Sequence, residues 1–201
     1  SKDLALESVI NNRKLPKLFD ANDKLNVYRA AKISEEFDLE FVIKGSGKEY
    51  ENVRELKKFN NKLIIPVNFP NAFDVSNAKL NEKLTINQLR YWNQAPANLG
   101  ILEKNGIVFS ITSADLRNKR DFLKNIRKAI KNGLSEKTAL NALTIIPARS
   151  IGLEDKIGSL KNNLLANFLI TTGPIFDDKT EIIENWVKGE RHVIKNTDKI
   201  N

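Results

Sequence analysis

The sequence predicts an α/β fold built on a parallel sheet, and three observations carry that prediction. Short apolar runs alternate with longer amphipathic ones, in the order strand, helix, strand. The run Lys62-Leu63-Ile64-Ile65-Pro66-Val67 is apolar for most of its length, as expected of a strand covered on both faces. Asp, Asn and Gly stand at the joints between runs, where strand ends and helix caps need them.

In chain order, a helix is expected over Leu4 to Asn12 and a strand over Leu15 to Phe19. Asp20-Ala21-Asn22-Asp23 then closes the strand and caps a helix from Lys24 to Phe37. The second strand is Glu40 to Lys44, ended by Gly45-Ser46-Gly47 as a plain turn. A helix from about Glu49 to Phe59 follows, with Val53, Leu56 and Phe59 on one face. Pro66 cannot donate to a ladder and is expected at the C-terminal end of the third strand. Asn68 to Thr85 has no clear periodicity, and loops of that length are commonly functional. A helix resumes at Ile86, kinks near Pro96 and stops at Asn105-Gly106, with Leu89, Tyr91 and Trp92 expected to pack inward. Ile107 to Thr112 is the fourth strand, followed by helices over Lys119 to Lys131 and Glu136 to Leu143, the second capped by Ser135. Three further strands, Asn167 to Thr171, Glu181 to Val187 and Arg191 to Ile194, end the pattern, the last two joined by a tight hairpin at Lys188-Gly189-Glu190.

Composition excludes several classes. With no Cys there is no disulfide framework and no thiolate nucleophile or metal ligand. No apolar run is long enough for a membrane helix, and the first residues carry no targeting pattern. The absence of Met makes Ser1 the expected start of a piece of something longer. The 33 Lys and Arg against 25 Asp and Glu give a formal charge of +8, but the lysines are spread along the chain, which reads as a solvated surface rather than a nucleic-acid face.

The most specific pattern runs from Asn132-Gly133-Leu134-Ser135 through Ile146-Pro147-Ala148-Arg149, Gly152-Leu153-Glu154-Asp155 and Gly158-Ser159 to Leu165-Ala166-Asn167-Phe168. Each part has a local physical reading: Ser135 caps a helix, Pro147 suits a first helical turn, and Gly152 and Gly158 permit positive φ. Taken in order, the pattern resembles the C-terminal signature of the amidohydrolase superfamily, of its imidazolonepropionase-like branch in particular. Ile146 departs from it, standing where Asn is usual, and so does Lys161-Asn162-Asn163, where a Gly-Lys turn is usual. The resemblance implies the C-terminal half of a (β/α)8 TIM-type barrel, strands five to eight, over residues 1–163. Residues 164–201 would then supply strands of the flanking β-sandwich and a frayed tail. It also implies a hydrolase of non-peptide carbon–nitrogen bonds that binds zinc or another divalent metal when complete, and that is inactive as this fragment. A non-catalytic scaffold or interaction module on the same fold is the alternative.

Barrel chemistry sits at the C-terminal ends of strands, so the resemblance directs attention to Asp20, Lys44, Asn68 and Asp115. Asp20 takes the place of the fifth-strand His and Lys44 or Gly45 that of the sixth, while Ser113-Ala114-Asp115 replaces a Thr-Asp pair on the eighth. Asp115 is thus the candidate catalytic carboxylate, Lys44 and Asn68 are candidate substrate contacts, and Asp20 is the one candidate metal ligand. Without the expected histidines no cofactor is predicted for this chain itself; the lone His192 lies in the terminal hairpin and reads as a surface residue. The expected partners are the N-terminal half of the parent barrel or a second copy of the chain, and a small-molecule substrate, with no membrane or nucleic acid.

Overall fold

Four short parallel strands, adjacent in sequence order, form the main sheet: β1 (Lys17–Asp20), β2 (Phe41–Lys44), β3 (Lys62–Pro66) and β4 (Phe109–Thr112). The computed structural model describes residues 7, 12, 15–21, 23–58, 62–73 and 84–195. Most of the expected helix over Leu4 to Asn12, Phe59 at the end of the second expected helix, and residues 74–83 of the loop after Asn68 lie outside the described residues.

The crossovers are helical, as parallel pairing requires. Helix α1 (Lys24–Glu36) joins β1 to β2, with the Asp23 carboxylate accepting from the Leu25 and Asn26 amides. Between β2 and β3 the expected helix is broken into a 3₁₀ turn (Glu49–Glu51) and a single turn, α2 (Val53–Leu56). The break falls at Asn52, whose φ of −133° and ψ of 23° lie outside the helical region. Helix α3 (Ile86–Gln94) opens on a capping box between Thr85 and Gln88, passes through a 3₁₀ turn at Ala95–Ala97 and continues as α4 (Asn98–Lys104), so the kink falls at Pro96 as expected. α3 buries none of its residues: Leu89 and Trp92 are exposed, Trp92 facing Phe73 with ring centroids 6.5 Å apart. This overturns the expected inward packing of Leu89 and Trp92, while Tyr91 is half-buried with the Lys48 ammonium 4.4 Å from its ring centroid.

After β4 come α5 (Asp121–Lys131), α6 (Glu136–Leu143) and α7 (Ile145–Ser150). Ser135 caps α6 through the Thr138 amide, and Glu103 on α4 accepts from the Ser135 amide, the Ser135 hydroxyl and the Thr138 hydroxyl. Partial burial raises the pKa of Glu103, but these hydrogen bonds outweigh it and hold the carboxyl below its ordinary range.

Strand alternation assigns the two sheet faces. Phe19, Ile43, Leu63 and Phe109 are in register and pack with Leu99, Leu102 and Ile126 in the core beneath the helices. The neighbouring register row, Asp20, Lys44, Ile64 and Ser110, therefore belongs to the opposite face.

A second, antiparallel sheet of β5 (Phe168–Thr171), β6 (Ile182–Val187) and β7 (Glu190–Val193) follows. Phe168 stacks on Trp186 directly opposite, with centroids 5.3 Å apart. The β6–β7 hairpin turns on Lys188-Gly189, both at positive φ, as a two-residue loop with right-handed strand twist requires. Arg127 on α5 binds the β5–β6 connection to the helices packed on the main sheet by donating to the carbonyls of Ile175, Phe176 and Asp177. Among the described residues no helix is long and apolar enough to cross a membrane.

Candidate active site

Three of the four residues singled out at strand ends meet in space. Parallel register sets Asp20 at the end of β1 beside Lys44 at the end of β2, and the Lys44 ammonium lies 3.1 Å from Asp20 Oδ1. Its second partner comes from beyond β4, where Asp115 Oδ2 is 2.9 Å away. Backbone bonds from Ala21 N to Lys44 O (2.8 Å) and from Gly45 N to Ile64 O (2.9 Å) extend the ladder past the strand ends and hold the platform. Asp115 itself sits at φ 65°, a left-handed conformation that Asp tolerates better than most residues and that turns the chain at the strand end.

Only 14% of the Lys44 side chain is exposed, against 59% and 52% for Asp20 and Asp115. Burial alone would lower its pKa, but the hydrogen bonds to Asp115 and Asp20 and their charges raise it instead. Lys44 is therefore a fixed ammonium, and the raised pKa works against a role as a free amine nucleophile. The part of the stability linked to Lys44's own titration is fully present below the unfolded lysine value of about 10.4 and is lost as pH rises through the higher folded value.

Asn68 is not part of this group. It lies past β3 on the wall of a separate cleft. Asp23 serves as the α1 cap, and His192 is exposed on β7.

Sequence reasoning missed the adjoining turn. Glu49 is 3% exposed, and its carboxylate accepts from Ser46 N (2.6 Å), Gly47 N (3.1 Å) and Asn98 Nδ2 (2.8 Å). Asn98 Oδ1 in turn accepts from Tyr50 N at 2.7 Å. Gly45-Ser46-Gly47 is thus no plain turn but a cradle for the chain's own buried anion. A Cβ on Gly45 would fall 2.3 Å from the Glu49 carboxylate. The available signal was an acidic residue just beyond a Gly-Ser-Gly turn, which such a turn's free amides can bind.

A family model described as the Amidohydrolase family matches residues 71–196, more than half of the chain. The chain belongs to the amidohydrolase family. Among solved structures, an amidohydrolase from Thermotoga maritima MSB8 superposes with a TM-score of 0.72 at 22% identity, covering 95% of this chain and 47% of the other. A putative prolidase from Bifidobacterium longum gives 0.55 at 13% identity, covering 94% and 58%, and a Xaa-Pro dipeptidase with bound methionine gives 0.54 at 13%, covering 84% and 48%. No curated protein matches the sequence. The chain spans about half the length of these amidohydrolase-type structures. Its fold is accordingly the expected α/β half of a (β/α)8 barrel, four parallel strand and helix units with a C-terminal β segment.

The divalent metal that the resemblance implies does not fit the donor set present. Among the described residues no three His, Cys, Asp or Glu side chains converge as a metal would need. The two carboxylates that do approach one point share the Lys44 ammonium there. A cation built into the chain occupies the position between them, so no chemical step is assigned to a metal held by these residues.

Proposed function

We propose that this amidohydrolase-family chain is the strand-five-to-eight half of a hydrolase of non-peptide carbon–nitrogen bonds, that it does not hydrolyse by itself, and that it gives the completed barrel an ion triad rather than metal ligands. The observation that carries this reading is the placement of Lys44 between Asp20 and Asp115 at the strand ends, where barrel enzymes bind and convert their substrates. Asp115 is the carboxylate assigned to the reacting group, Lys44 orients it and presents positive charge to the substrate, and Asn68 contacts the substrate farther out. The ordered signature from Gly133 to Phe168 favours the imidazolonepropionase-like branch.

The sheet edges support completion of the barrel by a partner. Each outer strand, β1 and β4, pairs with one neighbour among the described strands, and Leu18 and Val108 near those edges are 68% and 63% exposed. Unpaired ladders and apolar side chains at a sheet edge favour further pairing. The partner is the complementary half-barrel, or in its absence a second copy of the chain.

A non-catalytic scaffold on the same fold is the second reading, favoured because Asp20 and Asp115 both spend an oxygen on the Lys44 ammonium rather than turning it to a substrate. The test is sedimentation of the purified chain together with hydrolysis assays on imidazolones, N-acyl amino acids and Xaa-Pro dipeptides, with and without zinc or manganese. Self-association without turnover is expected. A monodisperse monomer, or turnover that disappears in Asp115→Asn, would contradict the proposal.

A further inference from the structure

Lysines dispersed in the sequence gather in the fold. A cleft of about 760 Å³ opens between the segment that follows β3, at 68–72, and the segment from Leu116 into α5. Five cations line it, Arg117, Lys124, Arg127, Lys128 and Lys131, against two carboxylates, Asp121 and Asp178. Two of the five are committed to the wall: Arg127 and Lys131 lie 3.6 and 3.2 Å from Asp178, and Arg127 also holds the backbone of the β5–β6 connection. Arg117, Lys124 and Lys128 form no ion pair with any described residue.

Lys124 and Lys128 stand four apart on α5, the spacing at which like charges repel across one helix face. The Lys128 ammonium is 5.8 Å from the centroid of the Phe69 ring, which holds it against the cleft. Uncompensated positive charge in a concavity draws an anion to it. The cleft's position also matters. By family correspondence β3 and β4 are the seventh and eighth barrel strands, and the loops after those strands are where (β/α)8 barrels frequently hold phosphate.

We propose that this cleft binds the phosphate group of a small phosphorylated molecule, with Arg117 supplying a planar fork of donors and Lys124 and Lys128 the neutralising charge. None of the ion triad's residues lines it and it requires no catalysis, so it holds whether or not the barrel hydrolyses anything.

The test is calorimetric titration of the intact chain with inorganic phosphate, glycerol phosphate and succinate at fixed ionic strength. A dissociation constant on the order of 1 mM or tighter is expected for the two phosphates. Binding should weaken at least about tenfold in Arg117→Ala/Lys124→Ala/Lys128→Ala, given three charge-assisted contacts. All three side chains are exposed, and an unchanged Tm will show that the variant folds. Absence of saturable phosphate binding overturns the proposal, as does binding that the triple variant retains or succinate binding of equal strength. A single-stranded oligonucleotide that binds far more tightly, with a steep salt dependence, would also overturn it by making the cleft a nucleic-acid surface.

Discussion

Glu49→Ala is expected to lower the unfolding free energy by about 3 kcal/mol, because the substitution strips partners from several buried donors at once. The amides of Ser46 and Gly47 and the side-chain amide of Asn98 all point at this carboxylate. Water reaches the Gly47 amide and the Asn98 side chain poorly when it is removed, since Gly47 is buried and Glu49 and Asn98 are 3% and 1% exposed. Opening the turn displaces Gly45, whose amide continues the β2–β3 ladder immediately after Lys44. The loss should therefore be accompanied by greater exposure of the ion triad. Glu49→Gln keeps one acceptor oxygen and should cost about half as much. Urea denaturation of the three proteins checks both numbers, and an alanine variant within about 0.5 kcal/mol of the parent would contradict the cradle described above, since only surface substitutions are normally so mild.

The second large effect is expected at Gly158. Its φ is +94°, and a Cβ there would lie 2.8 Å from Ala148 Cβ, 3.0 Å from Thr144 O and 3.1 Å from Ile145 Cα. Alanine would bear the cost of a left-handed backbone and push on the start of α7 as well, about 3 kcal/mol together. Gly152 separates the two contributions. It has a similar positive φ of +68° but faces open space, so Gly152→Ala should cost only the conformational part, about 1 kcal/mol. Similar losses at the two positions would mean that close approach to α7 contributes nothing. The comparison gives a physical meaning to part of the family signature: the glycine of the Gly-Ser turn is demanded by crowding as well as by backbone conformation, while the glycine of the preceding acidic turn is demanded by backbone conformation alone.

What could be read from the sequence follows from how local each determinant is. The four parallel strands were legible because their apolar runs are bounded by Asp20, Gly45, Pro66 and Ser113, each a residue that ends a strand for a reason of its own. The hairpin at Lys188-Gly189 and the caps at Asp23 and Ser135 were legible for the same reason. The helix expected from Glu49 was not, since helical spacing of Val53 and Leu56 concealed a carboxylate whose partners include Asn98, 49 residues away. Leu89 and Trp92 misled in the opposite sense, because apolar residues at helical spacing do not reveal whether a neighbouring element is there to receive them. At the strand ends, the strand boundaries together with the family resemblance were enough to single out Asp20, Lys44 and Asp115. It could not show that Lys44 faces both carboxylates, since that depends on β1–β2 register and on the left-handed turn at Asp115.

The central claim is that Lys44 fills, within this half-barrel, the place between two carboxylates that a family metal would otherwise require. Calorimetric titration of the purified chain with zinc and manganese tests it most directly. The account predicts no stoichiometric binding tighter than about 0.1 mM, the weak range expected when an ammonium already neutralises the available carboxylates. One equivalent of metal bound at micromolar affinity and lost in Asp20→Asn or Asp115→Asn would contradict it, because those carboxylates would then have to release Lys44 and close on the ion.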